Sequence, residues 1–233
     1  MWPLSFSALG LRQTHRISGA LPAPSVATST RRAPTNSGVC GFECGPYCYG
    51  VAEPSMLGQI AALVERLYGR RGYRMATVAR RAGSPRRIAL AGSHEGRLFA
   101  TLTLGLDGPD GLLVDDLYRP EVDVFRRMQR RICELSTFAI DPQYSSHDVL
   151  ASLFFLAYLY GRTLHQVTDA VIEVNPRHAA FYERIFHFRR IGEVRHCPRV
   201  DAPAVLLHLD LEAGSGCAQR RAENLSRSVW PST

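Results

Sequence analysis

The spacing of apolar residues changes period several times along the chain, and each change marks an element. After Ser55, the residues Leu57, Ile60, Ala61, Val64 and Leu67 recur at helical spacing, which predicts a helix ended by Gly69 and Gly72. Tyr73–Ala79 reads as a first strand and Arg80–Arg87 as a basic, Pro-containing loop. Ile88–Ser93 and Leu98–Leu106 alternate around His94-Glu95-Gly96, the pattern of an antiparallel hairpin, and Asp107–Gly111 has turn chemistry. Leu112–Tyr118 then leads to Pro120, which opens a helix to about Arg130 with Val122, Phe125 and Met128 on its apolar side. Ile132–Ile140 reads as a strand ended by Asp141-Pro142. Ser145 and Asp148 have capping-box spacing before an almost wholly apolar helix, Val149–Leu164. Its apolar run is too short to span a bilayer, so it is expected to be buried in protein. Val171–Val174 is a short β-branched run, a buried strand that Asn175-Pro176 ends while opening a helix. That helix carries Ala179, Phe181, Tyr182 and Ile185 near one face and Arg177, Glu183 and Arg184 largely on the other. Glu193–Arg199 and Val205–Leu211 read as the last two strands.

This order predicts an α/β (α+β) domain, a mixed central sheet flanked by helices, over residues 55–212. Residues 1–54 are rich in Pro, Ser, Thr, Ala and Gly without clear periodicity and read as a disordered extension; residues 213–233 read as a polar tail. With 45% hydrophobic residues in 233, the chain can bury one sizeable core. All 28 basic residues are Arg and the net charge is +7. Genome base composition explains the uniformity, while the sign favours acidic partners whatever its origin. No interleaved basic and aromatic motif accompanies the pI of 9.4, so nucleic-acid binding is not expected. The opening residues lack a basic n-region before a short, rather polar stretch, which predicts a cytoplasmic protein without a transmembrane segment; a transit-like reading of the first 37 residues is the alternative. Contact with a membrane surface is compatible with that charge. Cys40, Cys44 and Cys48 recur every four residues, unlike the C-x2-C of zinc sites, and no metal is expected there. Cys133 and Cys197 fall in strands and read as small core residues.

Asn175 with Tyr182 seven positions on and Phe188 beyond resembles the last strand–helix unit of the GCN5-related N-acyltransferase (GNAT) fold, N…A..FY…GF. Within that superfamily, Asn175–Gly192 followed by Val200–Leu211 is similar to the FeeM-like N-acyl amino acid synthases. These are related to acyl-homoserine lactone synthases, whose E-x-S-R-F strand Glu134-Leu135-Ser136-Thr137-Phe138 resembles. The resemblance covers about Leu57–Leu211. It implies transfer of a fatty acyl group from an acyl carrier protein thioester to a small amine or amino acid, without a metal or organic cofactor. An acyl-CoA donor, or a non-catalytic acyl-binding module, is the alternative.

It also implies roles. The strands equivalent to Ile132–Ile140 and Val171–Val174 would be parallel neighbours that splay apart around the pantetheine arm, with backbone N–H from Ser136, Thr137, Phe138 or Ala139 holding the thioester carbonyl. Glu134, a carboxylate amid an apolar strand, is the candidate base, with Glu173 as competitor and a salt bridge to a nearby Arg as the structural alternative. Tyr182 matches the position whose phenol protonates the leaving thiolate, or is a core aromatic. Asn175 binds the arm or caps the helix. Asp115, Asp116, Arg177 and His178 are candidates for the acceptor's charged groups. Arg126, Arg127, Arg130 and Arg131 are either a solvated helix end, favoured by the macrodipole, or a dock for an acidic carrier. The Val149–Leu164 helix is either core or one wall of an acyl slot.

The sequence departs from the pattern in three places. The segment Asp141–Asp148 lacks the Q/R-x-x-G-x-G/A loop that cradles the pyrophosphate of coenzyme A, which favours a carrier-protein donor. Thr137 replaces the Arg of the lactone synthases, and His187 stands where the motif has Gly.

Overall fold

Strand pairing in the computed structural model, which describes residues 41–70, 72–73 and 85–212, joins nine strands into one sheet. A hairpin of β1 (Phe42–Cys44) and β2 (Tyr47–Val51) forms one edge and pairs with β3 (Arg87–His94). β3 turns into β4 (Arg97–Leu106) through Glu95 and Gly96, whose φ values of 50° and 76° are left-handed, as a tight hairpin of the right twist requires. β4 pairs with β5 (Ile132–Ile140), and β5 runs parallel to β6 (Asp169–Val174). β6 is followed in space by β9 (Ala202–Asp210), which also carries the short β7 (Arg189–Arg190) and β8 (Arg195–Cys197). Apart from β5 with β6, every pairing is antiparallel.

Helices cover both faces. α3 (His147–Tyr158, continued by a wide turn through Leu164) and α4 (Pro176–Phe186) bury Leu153, Leu156, Phe181 and Tyr182 against Leu104, Leu135 and Ile172. On the other face α2 (Asp115–Arg127) packs Tyr118 and Val122 onto Ile132, Val171 and Leu206. There α1 (Leu57–Gly69) also packs Leu63, Val64 and Leu67 beside Ala139. Side chains alternate across a strand. Hence Cys133 and Leu135 enter the α3 side, while Ile132, Glu134 and Ser136 face α1 and α2.

Several expectations need correction. The folded unit begins before residue 55, because the hairpin Phe42–Val51 completes the sheet edge and buries Tyr49. Its short, Gly- and Cys-rich strands concealed the alternation. Leu112–Val114 is a turn, and α2 starts at Asp115, kinks at Tyr118 ahead of Pro120, and stops at Arg127. The buried stripe of α1 is rotated: Leu63 and Tyr68 are buried, whereas Leu57 and Ala61 are exposed. Ser146, not Ser145, caps α3, its hydroxyl accepting from the N–H of Val149 at 3.2 Å. α3's buried side chains are packed into the core, and Phe154 stacks on Phe186 at 4.0 Å. The strand expected at Tyr73–Ala79, most of the basic loop, Cys40 and residues 213–233 lie outside the described residues. Among those described, no group of three His, Cys, Asp or Glu could hold a metal, and no helix is long and apolar enough to cross a membrane.

Removing residues 1–54 is expected to destabilise the domain. It strips β3 of its outer partner and takes away Tyr49, 2% exposed and stacked on Phe42 at 5.3 Å. The loss should be at least the ~3–5 kcal/mol of deleting one buried aromatic, and the bared edge should promote aggregation. Thermal melting with light scattering checks it; a truncated protein that melts like the full chain contradicts this account of the edge.

Candidate active site

β5 and β6 start as partners and then part. Their pairing covers Ile132 with Asp169, Cys133 with Ala170 and Glu134 with Val171. Immediately beyond, β5 bulges: Thr103 faces Ser136 and Thr101 faces Ala139, leaving Thr137 and Phe138 opposite Leu102 alone. Thr137 has φ 49°, a left-handed conformation that costs a β-branched residue about 1–3 kcal/mol and persists only where the surroundings impose it. The bulge bends β5 at the segment the donor thioester was expected to meet, and a fork opens there.

On the α1–α2 side of the fork lies a cavity of about 20 Å³, room for one water molecule or an ammonium group. Its walls are Glu134, Ser136 and Thr137 from β5, Glu173 from β6 and Tyr68 from α1. Leu113, Cys197, Arg199 and Val200 close it.

Two carboxylates dominate this cavity. Glu134, 2% exposed, accepts a hydrogen bond from the Leu113 N–H at 2.6 Å through Oε2. Burial holds its carboxyl above the ordinary range; Arg87 pulls the other way, and the charge of Glu173 pushes it further up. Glu173, also 2% exposed, accepts from Arg199 at 2.7 Å through Oε2, while its buried Oε1 has no hydrogen-bond partner. Arg199 is fully committed, since it also donates to Asp116 at 2.6 Å and to the Leu113 carbonyl at 2.7 Å. Cys197 is no nucleophile: burial and then Glu173 push its thiol up to about 11.

Tyr182 lies on α4, fully buried among Phe154, Phe181, Phe186 and Phe188. Burial, then the neighbouring Tyr68 phenol, raises its ionisation well above that of a free phenol, so it carries its proton at any working pH. Tyr68 donates to the Phe138 carbonyl at 3.4 Å at the fork. Asn175 caps α4, its side-chain oxygen accepting from the Arg177 N–H at 3.2 Å. His187 adopts the left-handed φ of 60° in place of the motif glycine, so the helix still ends there and Phe188 still turns into the core.

Other candidates lie elsewhere. Asp115 accepts from the Leu112 N–H at 2.8 Å and from Arg126, which also holds Asp107 and Asp123. It is a structural carboxylate and does not line the cavity. Asp116 stands one step behind, through Arg199. Arg177 contacts the buried His178 at 3.1 Å, and neither lines the cavity. Of the four basic residues around the end of α2, Arg126 is bound by three carboxylates and Arg130 by Asp169, Asp210 and Glu212. Only Arg127 and Arg131 of the four are exposed, Arg131 bonding Gln166 at 2.6 Å, and they precede β5, remote from its bulge. Tyr68 and Arg199 went unseen in the sequence, since neither stands in a motif and both reach the site only by long-range packing.

A family model described as N-acyl amino acid synthase FeeM matches residues 59–210. The structure of FeeM, an N-acyl amino acid synthase from uncultured soil microbes, superposes with a TM-score of 0.67 at 24% identity, covering 71% of this chain and 92% of that one. An uncharacterised protein from Bacillus halodurans follows at TM-score 0.54 and 9% identity, with 79% and 92% covered. An aminoglycoside N(6')acetyltransferase from Legionella pneumophila follows at 0.51 and 11%, with 72% and 94% covered. These likenesses carry the fold. No curated protein sequence matches the chain.

Proposed function

Because the chain belongs to the FeeM family of N-acyl amino acid synthases, we propose that it moves a long-chain fatty acyl group from an acyl carrier protein thioester to the amino group of an amino acid or similar small amine. The protein is an acyltransferase of the GNAT fold. The observation that carries the reading is the pair of buried carboxylates, Glu134 and Glu173, facing one cavity beside a fork between parallel strands.

In this reading the acceptor's ammonium enters the cavity against the unpartnered Oε1 of Glu173 and the carboxylate of Glu134. Glu134 takes a proton from it, directly or through one water, and its raised proton affinity suits that task. The amine nitrogen then attacks the thioester carbonyl in the fork. Backbone N–H groups of the bulged β5 segment around Ser136–Ala139 stabilise the developing oxyanion. The tetrahedral intermediate loses the second proton of its nitrogen to water and collapses as the C–S bond breaks, which leaves the amide. Tyr182, whose phenol is protonated before the step, gives that proton to the departing thiolate and regains one from solvent, and Glu134 releases to solvent the proton it took from the ammonium. No metal or organic cofactor enters these steps.

The start of α3 supports a carrier-protein donor over coenzyme A. The hydroxyl of Ser146 occupies the N–H of Val149, and Asp148 places a negative charge in the first turn, where a pyrophosphate would need bare N–H groups and positive potential. Lipid extracts of cells expressing the chain, read by mass spectrometry, test the proposal. N-acyl amino acids should appear with the intact protein and vanish with Glu134→Gln; extracts without new amides from a soluble, folded protein count against it.

A further inference from the structure

Pairing beyond the bulge decides which way the backbone of the fork points. The Asp141 N–H donates to the Phe99 carbonyl at 2.8 Å, and Ile140 and Ala139 face Ala100 and Thr101. Alternate residues of an antiparallel pair turn their backbone groups toward the partner strand. Ala139, two residues before Asp141, therefore turns its N–H toward β4. The Phe138 carbonyl lies across that planar peptide unit and points the other way, into the fork. Phe138 continues the strand after the left-handed Thr137, and in an extended residue the N–H and C=O point the same way. Its N–H is aimed into the fork as well. There the Tyr68 hydroxyl donates to the Phe138 carbonyl at 3.4 Å. α1 carries Tyr68 to this place and is braced against the ends of β4 and β5 just beyond the bulge. The Gln59 side-chain oxygen accepts from the Leu98 N–H at 3.0 Å, Arg66 donates to Asp141 at 2.6 Å, and Leu63, Val64 and Leu67 pack with Tyr68 around Ala139.

We infer that Tyr68 is a positioning residue for acyl transfer: it holds Phe138 so that the N–H of that residue meets the oxyanion, and it covers the carbonyl beside it. The inference rests on the acyl-transfer reading. Electrostatics is the first argument. A donor and an acceptor of one residue face the fork together. The N–H stabilises the negative charge that develops on the thioester oxygen, whereas a bare carbonyl oxygen beside it repels that charge, and more strongly in a site that excludes water. The Tyr68 hydroxyl places a proton over this carbonyl. The bulge is the second. Thr137 and Phe138 face Leu102 alone, so the ladder that fixes peptide orientation elsewhere in β5 is interrupted where the donor must be held. A bond from outside the sheet supplies that hold. Burial is the third. Tyr68 is 2% exposed and lines the cavity with Glu134 and Thr137, so bulk water does not compete for the carbonyl. The repulsion that Tyr68 relieves exists only once charge has developed, and its effect therefore falls on the transition state rather than on substrate binding.

The test compares the full-length wild type with Tyr68→Phe, which keeps the ring and removes the hydroxyl alone, on a long-chain acyl carrier protein thioester and an amino acid. The kcat of the variant should fall about 10- to 100-fold, less than the loss of an oxyanion donor itself, while KM for both substrates stays close to that of the wild type. A carrier protein bearing the same chain through a thioether, which has no carbonyl oxygen, should bind both proteins equally. The solvent deuterium isotope effect on kcat should also be the same in both. An unchanged kcat, or a fall in kcat accompanied by an equal weakening of thioether binding, overturns the inference while acyl transfer stands; the second result would make Tyr68 a packing residue. A changed isotope effect overturns it too, because Tyr68 would then carry a proton. No amide from the wild type overturns the acyl-transfer reading and the inference with it.

Discussion

Glu134→Gln should lower kcat by about 10²- to 10⁴-fold, the range a positioned general base supplies, in a protein that stays fully folded. The amide keeps an oxygen for the Leu113 N–H and nearly the same shape, so the contacts of β5 survive. Stability should not fall. Because the carboxyl of Glu134 titrates higher in the folded than in the unfolded chain, the folded state holds a proton that the unfolded state has released at pH values between the two. Stability contributed by that proton is present below the unfolded value and is lost as pH rises through the folded one. Above that window the ionised carboxylate is a cost to the fold, and the glutamine variant should melt at the same temperature or a few degrees higher. The same shift sets the acid limb of activity. As pH falls, kcat of the wild type should decline from a point above the usual carboxylate range. Glu173→Gln should move that limb to lower pH, because it removes a like charge and leaves Arg199 unneutralised near the base. Steady-state kinetics across pH with thermal melting reads all three effects; a glutamine variant with wild-type kcat removes Glu134 from the mechanism.

Arg199→Met is expected to destabilise the domain by about 3–5 kcal/mol, because it leaves Glu173 charged and uncompensated in the core. Arg199 also donates to Asp116 and to the Leu113 carbonyl, so the variant loosens the turn before α2 that supplies the N–H to Glu134. Glu173→Gln in the same chain should restore much of the loss, since a neutral side chain no longer needs the guanidinium. Denaturant melts of the two single variants and the double variant give the coupling. Additive single effects would show that the two groups do not depend on one another. The pair is then a device of the site: Arg199 fixes one carboxylate in place while the other keeps a raised proton affinity.

The parts of this arrangement that were legible in the sequence are those encoded locally. β3 and β4 show through their alternation around Glu95-Gly96, and α4 shows through Asn175-Pro176 and its aromatic face. Glu134 stood out because an acidic residue in an apolar strand needs a reason. The hairpin Phe42–Val51 did not show, because its strands are short and its partner, β3, follows only after α1. The bulge at Thr137 was equally hidden: it is a property of the register between β4 and β5, and a threonine gives no local signal for a left-handed residue. Asp115 misled for a related reason, as its acidic character was visible but the Arg126 that claims it from the far end of α2 was not assigned to it. Arg199 and Tyr68 belong to the site only through long-range contacts, which hydrophobic periodicity does not record.

The most direct measurement is a reconstitution with purified protein: long-chain acyl carrier protein thioester, the twenty amino acids, and mass spectrometry of the products beside the release of free thiol. The account predicts an N-acyl amino acid formed in step with thiol release, much faster from the carrier-protein thioester than from the corresponding acyl-CoA. Thiol release without amide, or no turnover of either donor by the folded protein, would contradict it.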